Sequence, residues 1–156
     1  MPDKNMKCAE AQMLVRKPAA EVYEAFVNPD ITKNFWFTKG SGKLEVNKKI
    51  TWQWEMYGVS TIVIAKELLP GKKIVFEWGE ETTTVEFDFN TLSDGSTYVT
   101  VSECGFNKSG NELLKAVKGS TGGFTTVLDG LKAFLEYGIN LNLIADKFPK
   151  DTGSHG

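Results

Sequence analysis

The sequence predicts an α+β domain in which a curved antiparallel sheet of about six strands wraps around a long C-terminal helix. Two observations predict this fold. Residues 48–104 alternate between apolar and polar side chains, which is typical of strands with one buried face. Residues 122–145 instead repeat apolar side chains every three or four positions, which is typical of an amphipathic helix. We expect a single domain over residues 1–148 and a disordered tail over residues 149–156.

The first part of the chain predicts one strand followed by two short helices. Residues 8–16 alternate modestly and are interpreted as the first strand. Pro18 suits the first turn of a helix and Glu21 favours the positive end of its dipole, so a helix begins there. The Asn-Pro-Asp sequence at 28–30 ends this helix. Its aspartate, Asp30, is expected to cap the second helix.

The middle of the chain predicts a meander of strands joined by short turns. The predicted strands cover residues 50–56, 59–69, 73–78, 82–92 and 97–104. Pro-Gly-Lys at 70–72 and Ser-Asp-Gly-Ser at 93–96 are typical turn sequences. Connections as short as these imply antiparallel pairing, with one face of the sheet apolar and the other exposed to water.

The last part of the chain predicts a loop and then the long helix. The loop is expected over residues 105–123, with some helix around 111–117. Gly-Ser-Thr-Gly-Gly at 119–123 lacks the lysine of a phosphate-binding loop, so we interpret it as a hinge with a helix cap. The helix should then run from about residue 122 to 145. Because one apolar sheet face and one long helix must bury each other, the sheet curls around the helix in a helix-grip arrangement.

The composition excludes several classes of function. A net charge of −2 argues against a general nucleic-acid binder. The single histidine, His155, lies in a terminal Gly-Ser-His-Gly, which excludes histidine-dependent nucleophiles and histidine-ligated zinc or iron. We therefore expect no metal and no cofactor. No apolar run approaches the ~20 residues of a membrane span, and the polar start does not resemble a signal peptide. A cytoplasmic location without membrane association follows as the expectation.

Several motifs occur together in a characteristic order between residues 8 and 138. They are Pro-Ala-Ala-Glu-Val-Tyr-Glu-Ala-Phe at 18–26, Asn-Pro-Asp at 28–30 with Phe-Trp-Phe at 35–37, Glu-Leu-Leu-Pro-Gly-Lys-Lys-Ile-Val-Phe-Glu-Trp at 67–78, Asp-Gly-Ser-Thr at 94–97, Glu-Cys-Gly-Phe at 103–106, and Gly-Phe at 123–124 with Leu128, Leu131 and Leu135. With these motifs the chain resembles the START-like (SRPBCC) superfamily, and within it the homologues of the activator of the heat-shock-protein ATPase. It departs from the commonest pattern at Phe124, where many members have Trp, and at Glu103, where His is frequent.

The resemblance implies the helix-grip fold and three hypotheses for function. The preferred one is the binding of a small apolar or amphipathic molecule between the sheet and the long helix. The second is a co-chaperone-like interaction with a heat-shock ATPase, and the third is a cofactor-free cyclase or hydrolase. The superfamily's sheet order also implies that Cys8 approaches Cys104. Since a cytoplasmic chain of this size needs no covalent link, we expect both cysteines to be reduced, and the chain to be a monomer or weak homodimer.

The inward-facing aromatic side chains are the candidates for a ligand pocket. They can equally form a filled core, because large aromatic rings stabilise a sheet against a helix. Glu103 shares the apolar phase of its strand, so it either points inward as a polar anchor or reaches water at a strand end or bulge. We predict no catalytic residue and no metal ligand. The candidate ligand-binding residues are Trp36, Trp52, Trp54, Phe76, Trp78, Phe87, Glu103, Phe124 and Leu128.

Overall fold

The computed structural model describes residues 7–149, in which seven strands and four helices occur. The strands are β1 (Ala9–Val15), β2 (Lys39–Gly40), β3 (Lys49–Trp54), β4 (Val59–Leu69), β5 (Lys73–Trp78), β6 (Thr83–Thr91) and β7 (Thr97–Cys104). The helices are α1 (Ala19–Val27), α2 (Pro29–Thr32), α3 (Gly110–Tyr137) and α4 (Leu143–Lys147). Apart from Pro149, the predicted tail, with His155, falls outside the described residues.

The strands form one antiparallel sheet in the order β1-β7-β6-β5-β4-β3-β2. This confirms the α+β fold, with a curved sheet that packs against a long C-terminal helix. The strand count differs from about six because β2 has two residues and is too short to show an alternating pattern. A bulge between Ala65 and Glu67 shifts the register of β4 against β5, and bulges of this kind bend a sheet.

The long helix begins and ends earlier than predicted. It starts at Gly110 rather than near residue 122, so the helix expected around 111–117 is part of it and the loop covers only residues 105–109. The predicted hinge was wrong, because the glycines at 119–123 lie inside the helix. Each interior glycine costs up to about 1 kcal/mol relative to Ala, which is why the pattern favoured a loop. The helix ends at Tyr137 and is followed by Gly138, whose φ of 68° is a left-handed conformation typical of the residue that terminates a helix. Residues 143–147 therefore form the separate helix α4.

The cap of α2 is also different from the prediction. The side chain of Asn28, rather than that of Asp30, occupies the N-cap and accepts a hydrogen bond of 3.0 Å from the backbone N–H of Asp30. Pro29 occupies the first helical position, where the missing N–H costs nothing. Asparagine and aspartate cap helices about equally well. Because Pro29 is the first residue of the helix, Asn28 precedes the helix and caps it, while Asp30 lies inside it.

A disulfide joins Cys8 to Cys104, so the prediction of reduced cysteines is wrong for this structure. The antiparallel register of β1 and β7 places Ala9 opposite Glu103, and the next pair outward is therefore Cys8 and Cys104. Their Cα atoms are 4.4 Å apart, within the usual range for a disulfide. The prediction of reduced cysteines was based on the expected cytoplasmic location and on the size of the chain. The disulfide instead follows from the register of β1 and β7, which places the two cysteines opposite each other.

The core lies between the inward face of the sheet, α1 and α3. Its centre is aromatic: Phe37 stacks on Trp52 at 4.7 Å between ring centres, and Phe26 of α1 lies 4.4 Å from Phe87 of β6. Phe124 of α3 closes this cluster from the other side, 6.0 Å from Phe87. None of the helices described is long and apolar enough to cross a membrane.

Candidate functional site

A pocket of about 270 Å³ opens between α3, α4 and one end of the sheet. It combines an apolar wall with a few polar groups. Its lining residues are Trp36, Trp78, Glu103, Ser120, Gly123, Phe124, Val127, Ile144, Lys147 and Phe148.

Three aromatic rings form the inner wall of this pocket. Trp36 lies between α2 and β2, Trp78 ends β5 and Phe124 lies on α3, so three separate parts of the chain contribute one ring each. The ring centre of Trp36 is 5.7 Å from those of both Trp78 and Phe124, and the last two are 6.0 Å apart. Contacts at this distance stabilise aromatic pairs beyond the area that they bury. The wall is therefore held together even though one side of it faces a space.

Glu103 is the polar centre of the site. Its Oε2 accepts hydrogen bonds from Trp78 Nε1 at 2.9 Å and from Thr83 Oγ1 at 2.5 Å, while its Oε1 accepts one from Ser120 Oγ at 2.6 Å. Of the two orientations that the sequence left open, the structure has the inward one, with Glu103 only 8% exposed. Three donors compensate the cost of burying a carboxylate. Glu103 thereby connects β5, β6 and α3 to its own strand, β7.

Helix α4 covers the outer side of the pocket. Ile144 and Lys147 of this helix line the pocket, together with Phe148 that follows it. The hydroxyl of Tyr57 lies 3.0 Å from the carbonyl oxygens of both Ile144 and Phe148, and can donate its proton to either. Tyr57 belongs to the 3-10 turn between β3 and β4. This single phenol thus attaches the covering helix to the sheet.

The structure brings four of the candidate residues to the pocket and leaves five elsewhere. Trp36, Trp78, Glu103 and Phe124 line it. Trp54 lies half-buried on β3, where its ring centre is 6.5 Å from that of Trp78. The other four belong to the filled core, with exposures of 2% or less: Trp52, Phe76, Phe87 and Leu128.

Six lining residues were not among the candidates: Ser120, Gly123 and Val127 of α3, and Ile144, Lys147 and Phe148. Ser120 was assigned to a hinge, although it precedes Phe124 by four residues and Val127 by seven, which is the spacing of one helix face. An apolar pattern extended upstream through the glycines would have found it. The residues of α4 gave no comparable signal, because five residues are too few to show a helical period.

The described residues contain no group of three or more His, Cys, Asp or Glu side chains placed to hold a metal ion. Three lining side chains carry a charge or a hydroxyl group: Glu103, Lys147 and Ser120. Each Glu103 oxygen can accept about two hydrogen bonds. Since Oε1 accepts from Ser120 alone among the donors described here, it can take a second donor from a bound molecule.

Solved structures with the same fold come from bacteria and a parasite. The protein SSP2350 from Staphylococcus saprophyticus is 27% identical, with a TM-score of 0.76 over 86% of this chain and 96% of that one. The Aha1 dimer from Colwellia psychrerythraea is 18% identical, with a TM-score of 0.72 over 85% and 98%. PFC0360w, an HSP90 activator from Plasmodium falciparum, is 17% identical, with a TM-score of 0.64 over 82% and 95%. No curated protein matches the chain.

The family described as activator of Hsp90 ATPase homolog 1-like protein matches residues 16–136. This range begins directly after β1 and ends one residue before α3 does, so it contains β2 to β7 and nearly all of the long helix. Helix α4 lies beyond it. The motifs that suggested the resemblance all lie within the same range. The chain thus belongs to the family of activator of Hsp90 ATPase homolog 1-like proteins, within the START-like superfamily.

Proposed function

We propose that the chain binds a small apolar or amphipathic molecule in the pocket between α3, α4 and the sheet. The observation that carries this proposal is the aromatic wall of Trp36, Trp78 and Phe124, whose rings line the pocket on one side and pack against the aromatic core on the other. Sites for small molecules are typically apolar concavities with a few polar groups that fix orientation. A volume of about 270 Å³ lies just below the range of roughly 300–1,000 Å³ that is typical of small-molecule pockets, so the pocket suits a small ligand.

Glu103 gives the pocket a polar group in a fixed position. Its carboxylate is held by three donors from three elements, so it does not need to move when a ligand binds. Groups that are positioned in advance lose little conformational entropy on binding. A hydroxyl or N–H group on the ligand would bind the remaining acceptor site of Oε1.

A pair of glycine substitutions tests the proposal. Gly123 lines the pocket and Gly119 does not, although both lie on α3 and a Cβ at either meets no atom within 4 Å. Gly123→Leu should fill the pocket, whereas Gly119→Leu places the same side chain outside it. Both changes raise the helix propensity, so neither is expected to unfold the chain.

The readout is the fluorescence of N-phenyl-1-naphthylamine, a neutral apolar probe, titrated with each protein. We expect binding to the unmodified chain and to Gly119→Leu, and a loss of affinity of at least about tenfold in Gly123→Leu. Absence of binding to the unmodified chain, or equal binding to both variants, would overturn the proposal.

A second candidate function is the stimulation of a heat-shock ATPase. It is favoured by the description of the family and by a relative that is called an HSP90 activator. Adding the chain to purified Hsp90 and measuring ATP hydrolysis tests it directly. A rate of ATP hydrolysis that rises with the concentration of the added chain supports this candidate. An unchanged rate removes it, whether or not the chain binds Hsp90.

The cytoplasmic location and the oligomeric state stay predictions. The disulfide bears on the first, because such bonds are rare in a reducing cytoplasm. Alkylation of thiols at lysis, followed by mass spectrometry, would show whether Cys8 and Cys104 are bonded in the cell. Sedimentation over a range of concentrations would separate a monomer from the weak homodimer.

A further inference from the structure

Lys147 is the one basic side chain among the described residues that line the pocket. It ends α4, and its Nζ lies 5.8 Å from the ring centre of Phe148. A Cβ added at Gly122 of α3 would lie 3.6 Å from the same Nζ. The lysine therefore reaches from α4 across to α3, and its ammonium group lies beside Gly122 at the pocket rim.

The charge of Lys147 is not taken up by a carboxylate of the described chain. None of the ion pairs within 4.0 Å among residues 7–149 includes it. The one carboxylate in the pocket wall, Glu103, instead accepts from Trp78, Thr83 and Ser120. An apolar pocket thus carries one buried, hydrogen-bonded anion in its wall and one exposed cation at its rim.

We infer that the pocket selects amphipathic anions: an apolar body lies against the aromatic wall, and a carboxylate, sulfonate or phosphate group binds Lys147 at the rim. The inference rests on the proposed function, since selection requires a ligand in the pocket. The opposite orientation would place the anionic group near the carboxylate of Glu103, where like charges repel. Because α4 lies beyond the range that matches the family, this selectivity belongs to the C-terminal segment of this chain.

The expected contribution of Lys147 is modest, because its side chain is exposed. Ion pairs at exposed positions change an equilibrium constant by about 1.5- to fivefold. Salt screens such pairs, with a Debye length that falls from about 30 Å at 0.01 M to about 8 Å at 0.15 M. The contribution should therefore shrink as the ionic strength rises.

Two fluorescent probes with the same ring system isolate this contribution. One is 8-anilino-1-naphthalenesulfonate, which is an anion, and the other is N-phenyl-1-naphthylamine, which lacks the sulfonate. We expect Lys147→Gln to raise the Kd of the anionic probe about two- to fivefold at low salt and to leave that of the neutral probe unchanged. Lys147→Arg should retain the affinity. The control is Lys118→Gln, an exposed lysine of α3 that does not line the pocket.

The outcomes separate the two proposals. If both probes bind and Gly123→Leu abolishes both, but Lys147→Gln changes neither Kd or changes both equally, the inference is overturned and the proposed function stands. If neither probe binds the unmodified chain, the proposed function fails and the inference fails with it. A loss confined to the anionic probe, restored by arginine and reduced by salt, supports both.

Discussion

The inward face of the sheet has a closed region and an open region, although aromatic residues dominate both. The closed region consists of fully buried rings: Phe37, Trp52, Phe76 and Phe87. The open region consists of the residues around the pocket: Trp36, Trp78, Glu103 and Phe124. Phe26 of α1 packs at 4.4 Å on the closed region, whereas the short helix α4 covers the open one. Strand alternation therefore determines which side chains face inward, and the covering helix determines whether space remains beside them.

The largest expected effect distinguishes the two tryptophans of β3. Trp52 is 2% exposed and stacks on Phe37, while Trp54, two residues further on, is half-buried. Trp52→Ala should lower the free energy of unfolding by about 3–5 kcal/mol, because lost contacts and a new cavity add together. Trp54→Ala is the matched control and should lower it by clearly less. Urea unfolding measures both, and equal losses would show that the closed region does not end between these two residues.

The next effect concerns the covalent link beside the open region. The disulfide joins Cys8 to Cys104, the residue after Glu103, across a sequence separation of 96 residues. Reduction with a dithiol should lower the free energy of unfolding by about 2–4 kcal/mol, since the bond restricts the unfolded chain. The serine double variant, Cys8→Ser with Cys104→Ser, should unfold at the same urea concentration as the reduced protein. An unchanged midpoint, with two free thiols counted by mass, would contradict the expectation.

Much of the fold could be predicted because strong local patterns determine it. The bounds of β4, β5 and β7 agree with the prediction, since glycine-containing turn or loop sequences lie at both ends of each strand. The continuity of α3 from Gly110 was missed because the glycines at 119, 122 and 123 are poor helix formers, so the helix expected around 111–117 was separated from the long helix. Contacts that no local pattern shows compensate for them, among them the hydrogen bond from Ser120 to Glu103.

The candidate site was less predictable than the fold, because a pocket is a space that the side chains of neighbouring elements leave unfilled. The alternation in β3 and β6 assigns Trp52 and Phe87 to the same inward face as Trp78. Whether such a residue lies in the filled core or in the pocket wall depends on the side chains that surround it in space, which the alternation does not show. The donors to Glu103 come from positions 78, 83 and 120, which are distant in sequence. They come together at Glu103 because of the register between the strands and the position at which α3 crosses the sheet.

The third effect measures how the open region is held together. Glu103→Ala should cost about 1–3 kcal/mol, because the N–H of Trp78 and the hydroxyls of Thr83 and Ser120 would lose their acceptor. Glu103→Gln should cost less, since the amide oxygen still accepts and the hydroxyl of Ser120 can rotate to accept from the amide N–H. Thermal or urea unfolding gives both values. A larger loss for Gln than for Ala would mean that these donors are satisfied by water.

The smallest effect concerns the far end of α3, about four turns beyond Ser120. There Glu136, whose side chain is 7% exposed, accepts hydrogen bonds from Lys132 Nζ at 2.7 Å and from the backbone N–H of Arg16 at 2.8 Å. Lys132 also donates to the carbonyl of Leu14, so the two side chains satisfy backbone groups at the edge of β1. Unlike the open region, this end of the helix is fixed to the sheet by a charged pair.

The pH dependence of stability tests this attachment. Burial raises the pKa of Glu136, but the hydrogen bonds and charges of Lys132 and Arg16 lower it more, and the net pKa lies below the ordinary value. A carboxylate with a depressed pKa stabilises the fold above its unfolded pKa of about 4.3, and this stabilisation is lost as the pH falls through the folded pKa. Glu136→Gln should therefore cost about 1 kcal/mol at pH 7 and progressively less below about pH 4.

Urea unfolding of both proteins at neutral and acid pH measures that difference. Asp129→Asn is the matched control, because Asp129 is an exposed carboxylate of the same helix that takes no part in the ion pairs of the described residues. It should change stability little at either pH. If the cost of Glu136→Gln were the same at both pH values, the charge of Glu136 would contribute nothing, and α3 would be held at this end by packing and by hydrogen bonds that do not depend on that charge. The two ends of α3 would then differ in the side chains that cover them, and not in whether a charged pair attaches them to the sheet.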